Sequence, residues 1–211
     1  MIVGLVGFIG AGKGSVADIL VERHDYIKES FANSVKDSVS AVFGWDRPLL
    51  EGDTAESRAW RETPDKWWSE KLGKTFSPRL ALQLMGTEAG RDVFHEDLWV
   101  HTLMRRCENA PNKNYVIADV RFSNEIKAIQ KAGGKVVRVR RGSEPIWWGE
   151  ALSTNKNKDY NLMAQNYPEV HYSEWAWIGG EVDYTIQNDG TFDDLNSMVD
   201  LFIKSVYNNV T

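Results

Sequence analysis

The sequence predicts an α/β fold of three layers, a parallel sheet of about five strands with helices on both faces. Three observations carry that expectation. Short apolar runs (IVGLVG, YIKESFA, NYVIADV, KVVRVRR, VDYTIQ) alternate with segments of helical period. The first run breaks into a glycine-rich turn, GFIGAGKGS, that leads straight into a helix. With 42% hydrophobic and 26% charged residues over 211 positions, the chain has the balance of one ordinary globular core.

Taken in order, IVGLVG is an apolar strand, and GSVADILVERH follows with helical spacing at Val16, Ile19 and Leu20. YIKESFA reads as a second strand and NSVKDSVSAVFGW as a helix with Val35, Val39 and Val42 on one face. Residues 45–76 are charged and rich in tryptophan, an insertion rather than a linker. SPRLALQLMGTEAGRDVF opens with Ser77 as N-cap and Pro78 at the first helical position, and its pattern breaks at Gly86-Thr87-Glu88. EDLWVHTLMRRCENA is an amphipathic helix, NYVIADV the clearest strand, SNEIKAIQKAGG a helix that stops at glycines, and KVVRVRR the next strand. Residues 142–180 show little periodicity and are expected to be a mobile lid insertion. Strand VDYTIQ, turn NDG and helix FDDLNSMVDLFIKSVY close the chain, which is expected to form a single domain over 1–211.

The net charge of −5 excludes a nonspecific electrostatic grip on a nucleic acid polymer, so an anionic ligand must meet local clusters of arginine and lysine. Cys107 stands alone and reads as a helix residue, and no cysteine–histidine spacing suggests zinc. There is no basic leader and no run of roughly 20 apolar residues, which points to a cytoplasmic protein without a membrane partner.

In a parallel sheet, ligands collect at the carboxyl ends of the strands, which puts the glycine loop, Asp119 and the QNDG turn on one edge. Gly7, Gly10 and Gly12 let backbone N–H groups approach phosphate oxygens, the following helix turns its positive end to the same charge, and Lys13 reaches the phosphates as a mobile cation. Gly14 stands where the commoner loop pattern has Ser or Thr, and the hydroxyl comes one residue later, at Ser15. That arrangement, GAGKGS, resembles the loops of nucleoside monophosphate kinases and points to phosphoryl transfer between small molecules.

In VIADVRFSNE, Asp119 lies where a magnesium-organising carboxylate or a base would sit, Arg121 is placed to clamp a phosphate, and Glu125 belongs to the helix start. Arg79, Arg91, Arg121, Arg140 and Arg141 flank predicted edge positions, and such a group suits a phosphate acceptor, which needs cations more than a base. His171, Ser173 and Glu174 lack the nucleophile elbow of a hydrolase, and the tryptophan pairs read as lid packing.

The loop, FGWDRPLLEGDTAESRAWRE, PRLALQLMGTEAGRDVFHEDLWV, VIADVRFSNE, VRVRRG, HYSEW and DYTIQNDGTFDDL occur in an order that resembles the deoxynucleoside monophosphate kinases of tailed bacteriophages. The resemblance implies the P-loop kinase fold, with a lid and an acceptor-side insertion, in the cytoplasm of an infected bacterium. It implies ATP on Gly7, Gly10, Ala11, Gly12, Lys13, Gly14 and Ser15, with its base against Asn188, Asp189 and Gly190, and Mg2+ at Ser15 and Asp119. It implies Lys13, Asp119, Arg121 and Arg141 around the transferred group, and Arg79, Gln83, Thr87, Glu88 and Arg91 around a monophosphate. The region from Gly142 to Val170 resembles that family least. Two other readings stay open at this level: a kinase of dephospho-coenzyme A, and a nucleotide-binding switch without transferase activity. The oligomeric state is open too, a homodimer included.

Overall fold

A computed structural model describes residues 1–208. Among these residues five strands pair in parallel, β1 (Ile2–Val6), β2 (Tyr26–Glu29), β3 (Asn114–Ile117), β4 (Lys135–Arg140) and β5 (Tyr184–Gln187), in the order β2-β3-β1-β4-β5. The register sets Val3 beside Val116 on one side and Lys135 on the other, so β1 lies at the sheet centre. The crossovers are α1 (Lys13–His24), α2 (Asn33–Phe43), α3 (Ala55–Glu62), α4 (Lys66–Leu72), α5 (Pro78–Leu84), a π-helix (Met85–Phe94), α6 (Leu98–Glu108), α7 (Ser123–Lys131), α8 (Trp148–Asn157), α9 (Asn161–Asn166) and α10 (Tyr172–Trp175). The last helix, α11 (Phe192–Asn208), follows β5.

The chain forms two compact units, one of residues 1–30 and the chain from Met104 onward, the other of residues 31–103. In the first, side chains alternate between the two faces of the sheet. Val3 and Leu5 join Val116, Val137 and Ile186 under α1 and α11, where Val16, Leu20, Val199 and Phe202 complete an aliphatic core. Gly4 faces the other way, and a Cβ there would run into Ile129 of α7, so the glycine admits that helix close to the sheet. Each such Leu, Ile or Val stabilises the fold by roughly 1.5–3 kcal/mol on burial. Cys107 is buried in α6, and that burial raises its thiol pKa to about 11.

The second unit is helical with an aromatic centre. Trp45, Phe76, Val39 and Leu50 are buried, with Phe43, Trp60 and Trp68 packed around them. Phe43 stacks on Trp45 at 4.8 Å, and the Trp45 indole donates to Asp65 at 2.8 Å, so its one polar atom is satisfied. Asp65 also caps α4 by accepting the Trp68 N–H, and Ser77 caps α5 by accepting that of Leu80.

The structure corrects the sequence reading at Val42 and fills it in at two other places. Val42 is 58% exposed, because α2 buries a line at four-residue spacing through Val35, Val39 and the half-buried Phe43, and Val42 lies off it. Where the pattern breaks at Gly86-Thr87-Glu88 the winding changes from α to π, and the π-helix runs on to Phe94, with the Trp99 indole N–H donating to the Gly86 carbonyl at 2.8 Å. Residues 142–180, read from the sequence as a lid insertion of little periodicity, hold α8, α9 and α10 and bury Ala151, Met163, Trp175 and Trp177. Helices of 10, 6 and 4 residues are too short to display a period.

Candidate active site

Where β1 ends, the chain turns through Gly7 to Gly12 into α1. Gly7 has φ 146° and a Cβ there would strike the Val139 carbonyl; Gly12 has φ 99° and a Cβ would strike the Asn188 amide. Both positions therefore require glycine. No side chain caps α1, and its first backbone bond is Val16 N–H to Gly12 O at 3.0 Å. The N–H groups of Lys13, Gly14 and Ser15 precede that bond, at the positive end of the helix. Gly14 is exposed, Ser15 half-buried and Ala11 buried.

Lys13 folds back on the loop and donates to Gly7 O at 2.7 Å and Phe8 O at 2.9 Å. Burial first, and the charge of Arg121 second, lower its pKa to about 8, with Glu174 and Asp119 pulling the other way. Arg121 leaves β3's end and donates through Nη1 to Glu174 Oε1 at 2.8 Å and to Ser173 Oγ at 3.2 Å. Gly7, Lys13, Arg121, Glu174 and Trp177 line one small cleft. Asp119 accepts the Ser30 hydroxyl at 2.6 Å. Glu125, 2% exposed, accepts the backbone N–H groups of Arg121 and Phe122 at 2.7 and 3.1 Å, so it fixes the turn into α7.

The NDG turn braces the loop. Asn188 donates its side-chain amide to Ala11 O at 2.8 Å and its backbone N–H to Arg140 O at 2.7 Å. Asp189 accepts from Gly142 N at 2.6 Å and Gln187 at 2.5 Å, and these bonds hold its carboxyl below the usual carboxylate range. Gly190 abuts Asp194, which with Thr191 caps α11. Arg141 is exposed, and Arg140 lies 3.1 Å from Glu144.

In the second unit Arg79, Gln83, Thr87 and Glu88 are exposed and Arg91 is half-buried. Arg79 and Gln83 are four residues apart on α5, and Thr87 follows at the same interval on the π-helix. Arg79 approaches Glu62 only at 3.8 Å.

Two features escaped the sequence reading. One is the Arg121–Glu174 pair, which spans 53 residues. Ser173 does meet His171, at 2.9 Å, but Glu174 serves the arginine, not the imidazole, so no triad forms. The other is the setting of Phe8, whose ring meets Trp147, Trp148 and Trp177 at 5.3, 5.9 and 5.3 Å. The Arg138 guanidinium covers Trp148 at 4.3 Å and pairs with Glu144 at 2.6 Å. The cue was the pair of motifs IWW and EWAW, which carry no period.

No protein-family model matches the chain. It is 32% identical over 192 residues to a protein of Acanthamoeba polyphaga mimivirus named "Putative deoxynucleotide monophosphate kinase", covering 82% of this chain and 93% of the relative. Over 49 residues, 23% of this chain and 20% of the relative, it is 47% identical to the deoxynucleoside-5'-monophosphate kinase of Escherichia phage T5. Among solved structures, dephospho-CoA kinase from Campylobacter jejuni shows a loose likeness, with a TM-score of 0.46 and 15% identity over 97% of this chain and 96% of that one. No described helix is long and apolar enough to cross a membrane. The glycine loop that ends β1, the cations gathered behind it and the full-length viral relative lead to one conclusion: the chain is a kinase and belongs to the deoxynucleoside monophosphate kinase family.

Proposed function

We propose that the protein transfers the γ-phosphoryl group of ATP to a deoxynucleoside 5'-monophosphate, giving the deoxynucleoside diphosphate and ADP. The observation that carries this reading is the half-buried Lys13 at the head of an uncapped helix, with Arg121 in the same cleft. In the proposed reaction an acceptor phosphate oxygen bonds to the γ-phosphorus as the bond to the β–γ bridging oxygen breaks, and ADP leaves with that oxygen's charge. The acceptor is already anionic, so the site needs cations rather than a strong base.

Lys13 exchanges the Gly7 and Phe8 carbonyls for phosphate oxygens, and the N–H groups of Gly10 to Ser15 surround the same charge. Arg121 exchanges Glu174 for the transferred group, and Arg141 approaches it from the lid side. Asn188, Asp189 and Gly190 hold the adenine edge of ATP. Arg79, Gln83, Thr87, Glu88 and Arg91 take the monophosphate, which the exposed polar run from Arg79 to Glu88 along α5 and the π-helix supports. The Ser15 hydroxyl and the Asp119 carboxylate are hard oxygen donors of the kind Mg2+ prefers, and they would hold it. When bound, that ion neutralises charge on the β- and γ-phosphates.

ADP release, measured with dAMP, dGMP, dCMP, dTMP and dephospho-coenzyme A, tests the proposal, with Lys13→Ala as the blank. Turnover with one or more deoxynucleotides is the expected result. Turnover with dephospho-coenzyme A alone, or ATP binding without turnover on any acceptor, would overturn it.

A further inference from the structure

We propose that His95, Asp97 and His101 form a binding site for a divalent transition-metal ion of the zinc class, in the second unit. Each of the three offers one ligand atom, and these atoms all lie within 4.8 Å of one another. Two of the chain's four histidines are gathered there. No cysteine takes part, so a search for cysteine–histidine zinc spacings passes over His-x-Asp-x-x-x-His.

The backbone explains the convergence. The π-helix ends at Phe94 and His95 is extended, with its N–H returning to Gly90 O at 3.2 Å. Leu98 N–H then bonds to His95 O at 2.9 Å and His101 N–H to Asp97 O at 2.8 Å, which starts α6. Asp97 and His101 thereby stand four residues apart across a first helical turn, a spacing at which side chains meet. The His95 and His101 ring centroids lie 5.6 Å apart, with the ring planes tilted by 42°. Both histidines are exposed, so an ion can enter from solvent, and Asp97 is half-buried.

The donor set decides the class of ion. Two imidazole nitrogens with one carboxylate oxygen suit Zn2+, Co2+, Ni2+ or Cu2+, whereas Mg2+ prefers oxygen alone. Three protein ligands leave a fourth position for water. Binding has a structural cost: the Asp97 N–H now bonds to His95 Nδ1 at 3.0 Å. An ion on Nδ1 takes that lone pair, and an ion on Nε2 needs the ring proton moved to Nδ1. Either way this bond is exchanged for the metal bond. The occupied site would tie the end of the π-helix to the first turn of α6.

The test is calorimetric titration of chelator-dialysed full-length protein with Zn2+ in buffer containing Mg2+. One equivalent with a Kd below about 100 µM is expected. His95→Ala and His101→Ala should each weaken binding by at least about tenfold, with His24→Ala unchanged. Absence of saturable binding, or unchanged affinity in a folded His101→Ala, would overturn the site. Should the variants fail to fold, imidazole NMR of the unaltered protein decides: Zn2+ must shift the His95 and His101 resonances, and shifts at His24 or His171 instead would sink the assignment.

Discussion

The phosphate loop and the run from Arg79 to Glu88 differ in how far they are finished. In the loop, Lys13, Arg121 and Asn188 already hold protein partners at 2.7 to 2.9 Å, whereas Arg79, Gln83, Thr87 and Glu88 stand in solvent. A cation that must change partners is already placed and partly desolvated, so its removal acts on the transition state. A solvated side chain on an exposed face adds a contact when ligand arrives, and such contacts are worth little each. Under the proposed function, the comparison predicts that the first group sets kcat and the second sets KM.

The strongest way to break it is Lys13→Ala. A fall in kcat of about 10^3-fold is expected, with no loss of thermal stability, since the variant removes a partly desolvated ammonium. Steady-state rates beside a melting curve check both halves; a folded variant within tenfold of the parent would end the distinction. Arg121→Ala should cost about 10^2-fold in kcat, and Arg121→Lys should restore only part, because a point charge lacks the guanidinium fork.

The pH dependence sharpens the contrast. Lys13 is depressed from its ordinary value to about 8, so it is cationic below that pH and neutral above it. kcat/KM for ATP, which reports the free enzyme, should fall as pH rises through about 8. Bound phosphates favour the ammonium, so the limb in kcat should lie at higher pH. Glu174 raises the Lys13 pKa, and Glu174→Gln should move the kcat/KM limb to lower pH. An unmoved limb in that variant would remove Glu174 from the loop's electrostatics. The smallest effect is expected on the exposed run: Arg79→Ala or Thr87→Ala should raise the acceptor KM by about five- to tenfold, with kcat and the ATP KM unchanged.

What was legible in the sequence follows from distance along the chain. Gly7, Gly12 and Lys13 act through backbone geometry within one turn, so their spacing alone discloses the loop. The strands are legible because β1, β3 and β4 concentrate the β-formers Val, Ile and Tyr in short stretches. Ser77 and Pro78 announce α5 for the same local reason. Arg121 with Glu174 is a tertiary pairing, and no spacing rule reaches across it. Phe8 is hidden in another way: its ring is in place only because three indoles from a segment without period converge on it. The π-helix eludes a search tuned to 3.6 residues per turn, so glycines at 86 and 90 look like punctuation.

That winding has a consequence for comparing sequences. A π-helix closes each bond one residue later than an α-helix, so a given axial length consumes more chain. Met85–Phe94 thus holds more residues than an α-helix of the same length would, without a loop to betray it. In a relative whose helix is α throughout, residues after Phe94 fall out of phase with those before Met85. An ungapped alignment across the segment would pair Arg91 or His95 with neighbours that point in other directions. A gap belongs there even where both chains look continuously helical.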